Sequence, residues 1–274
     1  MNFALNTLGC PEWSFDKVIA NAVENDVRNL EIRGILGKMR AAEIPEFSEE
    51  GYPALAEKLN ANGIKIIGFG CSSSFHNPEK CEAAYEEAVE AIDVCNRTGI
   101  NFVRIFGNNV PDPAKEAATI ELVAEYARRL CDYAISIAKD GKAPVTVLIE
   151  AHGDFNTWER LLPVCHKVDR ENFGIVWDVA HTDKAYADNI LPFYRIMKPY
   201  IKHLHFKDHH RVDGGWKLCT VGEGDIPLTT VLDALKADGY NGCISIEHEK
   251  KWHPELADPQ DEFATFAKLI KDYK

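Results

Sequence analysis

The sequence is short of positive charge: 31 lysines and arginines stand against 43 aspartates and glutamates, a formal net charge of −12. A surface of that sign repels phosphate backbones and anionic membranes, so nucleic-acid and membrane-surface partners are disfavoured. No uninterrupted apolar run reaches the roughly 18 residues of a membrane span, and no basic segment leads into an apolar one after Met1. The protein is therefore expected to be soluble and cytoplasmic. There is no CxxC pair; Cys10, Cys71, Cys81, Cys95, Cys131, Cys165, Cys219 and Cys243 are scattered along a chain large enough to need no disulfide staples. Reduced, mostly packing cysteines are expected. Neither GxGxxG nor GxxxxGK[ST] occurs, which argues against a doubly wound nucleotide-binding sheet. GEGD at 222–225 precedes a helix without a strand immediately ahead of it.

What is present alternates between short apolar runs and longer helical patterns. The run at 145–149 in VTVLIEAHG has no polar alternation, the mark of a strand buried on both faces, and it stops on Glu150. Strands are expected at 3–5, 29–32, 64–69, 102–106, 145–149, 173–177, 201–206 and 242–246. Ser14 should cap a helix whose buried face is Phe15, Val18, Ile19, Ala22 and Val23. Further helices are expected at 52–62, ended by Gly63, at about 79–98, stopped by Gly99, and at 114–139, the longest. The rest fall near 158–168, from Asp188 to Met197, at 228–238 and from about 260. Eight strand and helix pairs over 274 residues, 46% of them hydrophobic, predict an α/β fold with a single (β/α)8 barrel as one domain, 1–274. The loops after strands two, three, seven and eight are the long ones, and in such a barrel they open on the catalytic face.

Four of these strands end on a metal-ligand type: Glu150, Asp178, His205 and Glu247. Each alone is ordinarily a solvated or structural residue, but on successive strands five to eight they would converge on one point. His203 and His205 alternate on the seventh strand, and only one of the two is expected to face the barrel interior. Three carboxylates and one imidazole make a hard, oxygen-rich site suited to Mn²⁺ or Mg²⁺, with Co²⁺ or Zn²⁺ also admitted. Without thiolates a structural zinc is not expected, and positions should stay open for substrate oxygens.

With LGCPEWS, LEIRG, VRIFG, LIEAHG, WDVAH, HLHFKD, GEGDIP and ISIEHE in place along nearly the whole chain, the sequence resembles the xylose-isomerase-like barrels, specifically the sugar phosphate isomerase/epimerase group that includes the ketose 3-epimerases. The resemblance implies that Glu150, Asp178, His205 and Glu247 hold the metal, the second histidine of HLH being the ligand. It also implies that His181, three residues after the aspartate, and Arg211, shortly after HLH, bind substrate. The chain departs from the ketose 3-epimerases after the first glutamate: it has Ala151, His152, Gly153 and then Asn156 where they continue with proline and a second glutamate. A ketose 3-epimerase proper is thereby disfavoured.

In such a site a metal chelating a carbonyl and its neighbouring hydroxyl makes the α-proton acidic. Glu150 and Glu247, by resemblance, are the pair that would remove and return it, giving epimerisation; one base alone would give isomerisation. A lyase or dehydratase, like the inosose dehydratases or the enzymes that cleave C-glycosides, is the alternative. An abasic-site endonuclease and a non-enzymatic sugar-binding protein are weaker ones. Other residues carry two readings each. His152, His76 and Lys207 either add acid/base groups or are solvated. Trp13 and Trp252 either stack on a sugar or pack on their neighbours. Arg33 and Arg104, just past strand ends, are candidates for holding a phosphate or carboxylate. His209, His210 and the EKK run read as solvated. A small carbohydrate is the expected partner, and a homo-oligomer is allowed.

Overall fold

Along each strand of the computed structural model, which describes residues 1–187 and 189–274, alternate side chains sort into two surfaces. The strands are β1 (Asn2–Asn6), β2 (Asn29–Ile32), β3 (Lys65–Ser74), β4 (Phe102–Phe106), β5 (Thr146–Glu150), β6 (Phe173–Asp178), β7 (Ile201–Phe206), β8 (Asp208–Val212), β9 (Gly215–Cys219) and β10 (Cys243–Ile246). All but β8 and β9 are parallel and close a barrel in the order β1-β10-β7-β6-β5-β4-β3-β2. The outer surface, including Val103, Ile105, Val147, Ile149, Ile175, Trp177, Leu204 and Phe206, joins the large core beneath the helices. The inner surface carries a small apolar plug of Phe102, Leu148 and Val176, packed with Ile67. Both surfaces are buried, which is why the strands read as unbroken apolar runs. The expected (β/α)8 barrel is the fold observed.

The helices are α1 (Phe15–Glu24), α2 (Tyr52–Ala61), α3 (Cys81–Thr98), α4 (Glu116–Ser136), α5 (Trp158–Val168), α6 (Val179–Tyr186), α7 (Leu191–Met197), α8 (Leu228–Ala237) and α9 (Pro259–Leu269). Ser14 caps α1 as expected, its hydroxyl accepting from the Lys17 amide. Gly63 and Gly99 sit at φ +63° and +77° beyond α2 and α3, the left-handed geometry that glycine takes without a Cβ penalty. Trp177 anchors the outer core: it stacks on Tyr194 and Phe193, with centroids 5.4 and 5.7 Å away, and donates Nε1–H to Thr182 Oγ1 at 3.0 Å.

Several elements differ from the sequence expectation. β3 continues to Ser74, because after a register shift its polar CSSS tail still pairs with Phe106. The helix expected from Asp188 to Met197 is α7, beginning at Leu191; Asp188 lies outside the described residues. Ahead of it stands the unforeseen α6, whose Val179, Ala180, Thr182 and Asp183 are all buried, so no amphipathic stripe announced it. The β8–β9 hairpin was also unforeseen, although Asp213-Gly214 is a hairpin-turn signal and Gly214 has φ +81°.

Candidate metal centre and active-site mouth

Above the apolar plug the same period of two turns the barrel interior polar. On β4, Arg104 follows Phe102; on β5, Glu150 follows Leu148; on β6, Asp178 follows Val176; on β10, Glu247 follows Ser245. Glu150, Asp178, His205 and Glu247 each present one ligand-type atom within 4.8 Å of the others, and all four are buried. The structure brings together the four residues picked out as a metal set. The expectation that only one of His203 and His205 faces inward is corrected: residues two apart on a strand share a face, and both lie inside the barrel with their rings edge to face at 5.4 Å. Leu204 is the one that points outward, into the main core.

Glu31 on β2 is a participant that sequence reasoning missed. Its fully buried carboxylate lies 3.0 Å from Nε2 of both histidines, and Ser245 Oγ is 2.9 Å from His203 Nε2. Burial pushes the Glu31 pKa up, but His205 and His203 outweigh it and hold the group well below the usual carboxylate range. The signal was available: a lone carboxylate in the middle of the buried run NLEI needs a partner inside the barrel. With Nε2–H donated to Glu31, the other nitrogen of His205 faces the cage. Nδ1 is 3.3 Å from Glu247 Oε1 and 3.6 Å from Glu150 Oε1, with no aligned hydrogen bond among the described residues.

An imidazole nitrogen aimed between two carboxylates calls for a cation at that point. Burial alone would lower the His205 pKa, but Glu31, Glu247 and Glu150 hold it well above the ordinary histidine value, so a proton and a metal ion compete for Nδ1. Burial and the neighbouring Glu247 and Glu150 push Asp178 up to about 6 against the pull of Lys207. A cage that crowds its own carboxylates this way fits a divalent ion, and Glu31–His205 is the carboxylate–histidine pairing that orients a metal ligand. The hard donor set favours oxygen-seeking metals.

Two cations flank the cage. Lys207, whose role the sequence left open, is buried, with Nζ 2.8 Å from Asp178 Oδ2, 2.8 Å from Glu247 Oε2 and 2.6 Å from Glu249 Oε1. Burial would lower its pKa, but these carboxylates raise it well above the usual lysine value. Arg104 Nε lies 2.9 Å from Glu150 Oε2, and its guanidinium covers the Phe106 ring at 4.0 Å. Burial and Glu247 push the Glu150 pKa up, and Arg104 and His205 more than offset them.

Asp178 does two jobs at the start of α6: Oδ1 accepts the His181 amide at 2.9 Å while Oδ2 meets Lys207. The cap fixes His181, whose ring lies 4.1 Å from that of His152, which in turn lies 4.8 Å from Phe106. His152 Nδ1 is 3.1 Å from Asn108 Oδ1. Burial pushes both histidines down, His181 well below the usual value. A cavity of about 210 Å³ opens over the cage, lined by Arg33, Arg104, Glu150, His152, Lys207, Glu247 and Trp252 among others.

The remaining candidates lie elsewhere. Trp13 packs edge-on against Phe263 at 6.2 Å with Lys17 Nζ over its ring at 4.0 Å, and it does not line the mouth. His76 lines a separate hollow with Pro78, Pro111 and Leu122. Arg211 reaches Asp183 Oδ1 through Nη2 at 2.7 Å. His209, expected to be solvated, is fully buried, with Nε2 3.0 Å from Asp183 Oδ2; the hairpin folds it back onto α6. His210 is half exposed, as expected.

Comparisons with known proteins bear on this arrangement. An inosose isomerase from Bacillus velezensis is 24% identical over 223 residues, 74% of each chain. An uncharacterized protein of Methanocaldococcus jannaschii is 34% identical over 96 residues, and the chain spans only 31% of that relative. Among solved structures, the probable 3-DHS dehydratase AsbF of Bacillus anthracis aligns over 99% of both chains with a TM-score of 0.79 and 18% identity. An IOLI protein with a bound zinc atom aligns over 98% of this chain and 97% of its own, with a TM-score of 0.76 and 18% identity. At those identities the solved structures speak for the fold. The family model described as a xylose isomerase-like TIM barrel matches residues 22–271, nearly the whole sequence, and the chain belongs to that family.

Proposed function

We propose that this protein is a divalent-metal-dependent isomerase of small polyhydroxylated carbonyl compounds, sugars or cyclitols, working by removal of a proton next to the carbonyl. The observation that carries the reading is the placement of His152. Asn108 Oδ1 accepts from Nδ1–H, which leaves the Nε2 lone pair as the basic position of a ring that lines the mouth cavity beside Glu150. Glu150 and Glu247 are engaged by Arg104 and Lys207 and belong to the metal set, so the base is assigned to His152 rather than to that pair. Glu150, Asp178, His205 and Glu247 would hold the metal, with Mn²⁺ the first candidate; when bound it would polarise a chelated carbonyl and make the α-proton acidic. The negative charge left after proton removal lies near the cationic Arg104 and Lys207, which offset it.

One base favours chemistry on one face of the substrate. Return of the proton from His152 to the neighbouring carbon is isomerisation. A second reading is loss of water: the probable dehydratase AsbF shares this fold, and the same proton removal would precede departure of a β-hydroxyl. Eight free thiols favour a reducing, cytoplasmic setting. The test is to incubate Mn²⁺-loaded protein with keto sugars and inososes in D₂O and follow them by NMR. Deuterium entering at the carbon next to the carbonyl supports proton transfer, and a new alkene or second carbonyl marks elimination. His152→Gln should slow exchange about 10² to 10⁴-fold with metal content unchanged. Undiminished exchange in that variant removes His152 from the role of base.

A further inference from the structure

Arg33 is a buried cation that has no ion-pair partner among the described residues. It stands just past the end of β2, two residues after Glu31, and only 8% of it is exposed. Its backbone is pinned by N–H donation to Thr7 Oγ1 at 2.8 Å. The guanidinium meets neutral oxygens: Nη2 donates to Ser72 Oγ at 2.7 Å and Nη1 reaches the Met39 carbonyl at 3.5 Å. Among the described residues no carboxylate lies within ion-pair distance of it, whereas Arg104 beside it has Glu150. The two arginine side chains pass together over Gly70, where an added Cβ would stand 2.8 Å from Arg104 Nη2 and 2.8 Å from Arg33 Cδ. Both line the mouth cavity together with Lys207.

Proteins rarely leave a buried charge unpaired, because desolvation without compensation is costly. Here burial and the charge of Arg104 push the Arg33 pKa down to about 10, with Glu87 and Glu247 pulling the other way from beyond ion-pair distance, so it stays cationic at neutral pH. The cavity it lines gives a partner from outside the chain access to it. We propose that Arg33 seats an acidic group of the substrate, a carboxylate or a phosphate, so that the substrate is an anionic polyhydroxy carbonyl compound and not a neutral sugar. A planar guanidinium with free N–H donors matches either group with two parallel hydrogen bonds. The proposal rests on the reading of the mouth as the substrate site and names the class of molecule that enters it.

The experiment is calorimetric titration of Mn²⁺-loaded protein with three six-carbon probes: D-fructose, D-fructuronate and D-fructose 6-phosphate. Wild type should bind at least one acidic probe at least tenfold more tightly than fructose, and whichever of the two gains identifies carboxylate or phosphate. In Arg33→Gln the ratio of acidic to neutral affinity should fall to near one. Arg33→Lys, which keeps the charge without the fork, should retain part of that ratio and guards against a variant that does not fold. Since Gln removes an unpaired buried charge, its urea midpoint without ligand should equal or exceed that of wild type. A large loss of stability would make Arg33 a structural residue and overturn the proposal. Equal affinity for acidic and neutral probes, no binding of any probe at millimolar concentration, or an acid preference that survives Arg33→Gln would overturn it as well. Deuterium exchange into a neutral sugar with no acid preference would sink this inference and leave the reaction standing; acid preference without exchange into any probe would do the reverse.

Discussion

Replacing Glu31 by glutamine probes the metal centre without touching a ligand. The wild-type carboxylate accepts from Nε2–H of both His203 and His205 at 3.0 Å, and His205 lies at that distance from both of its oxygens. An amide fills the same volume but offers one oxygen and one NH₂. Wherever the NH₂ sits, it opposes an imidazole N–H, and His205 relieves the conflict by moving its proton from Nε2 to Nδ1. Nδ1 is the nitrogen that faces Glu150 and Glu247, so the change puts a proton on the ligand atom. Losing such an outer carboxylate typically weakens metal binding about 10 to 100-fold, or roughly 1.4–2.7 kcal/mol. The assay is calorimetric titration of chelator-stripped protein with Mn²⁺, accompanied by ¹⁵N NMR of the histidine side chains to read the tautomer. Ser245→Ala is the control: it removes a partner of His203 only, and its metal affinity should change less than threefold. A well-folded Glu31→Gln protein whose Mn²⁺ affinity stays within twofold of wild type, with His205 still protonated at Nε2, would refute the reasoning.

Two further outcomes are expected. His181→Ala should lower kcat/KM by about 10²-fold, roughly 2.7 kcal/mol of transition-state stabilisation, while metal content is unchanged, because Asp178 caps α6 through the His181 backbone amide and not its ring. Full activity would reduce His181 to a packing residue. Glu262 bears on pH dependence: burial pushes its carboxyl from 4.5 up to about 7, with one oxygen accepting the Val221 amide at 2.9 Å. A raised carboxyl pKa means the folded state holds a proton that the unfolded chain has released. The stability it contributes is complete below about pH 4.5 and is lost as pH rises through 7, to the extent of about 3 kcal/mol. Glu262→Gln keeps the acceptor for Val221 and cannot ionise, so its urea midpoint should gain on wild type steadily between pH 5 and pH 8. A difference that does not vary over that range would count against a protonated Glu262.

Much of this protein is legible from local pattern. Strands buried on both faces declare themselves as runs such as VTVLI and FGIVW, whatever their neighbours, because no residue in them can meet water. The acidic and imidazole types at the ends of β5, β6, β7 and β10 declare the cage for a related reason: a parallel barrel places all those ends at one mouth. Helix caps at Ser14 and Gly99 are equally local. The short α6 left no such mark, since its buried set mixes Val179 and Ala180 with the polar Thr182 and Asp183 and so sets no apolar period.

What needed the tertiary structure is the pairing of charges. Glu31 and His205 are 174 residues apart, and Arg104 and Glu150 belong to different strands; only barrel closure and strand register make them neighbours. Register likewise decides that Lys207 is spent on three carboxylates while Arg33, of the same charge and also buried, has none among the described residues. The sequence by itself determined which strands are buried and which ligand types stand at their ends, because these follow from residue chemistry and a period of two. Tertiary structure alone decided which charge meets which, because an ion pair depends on distances between strands that no local pattern encodes.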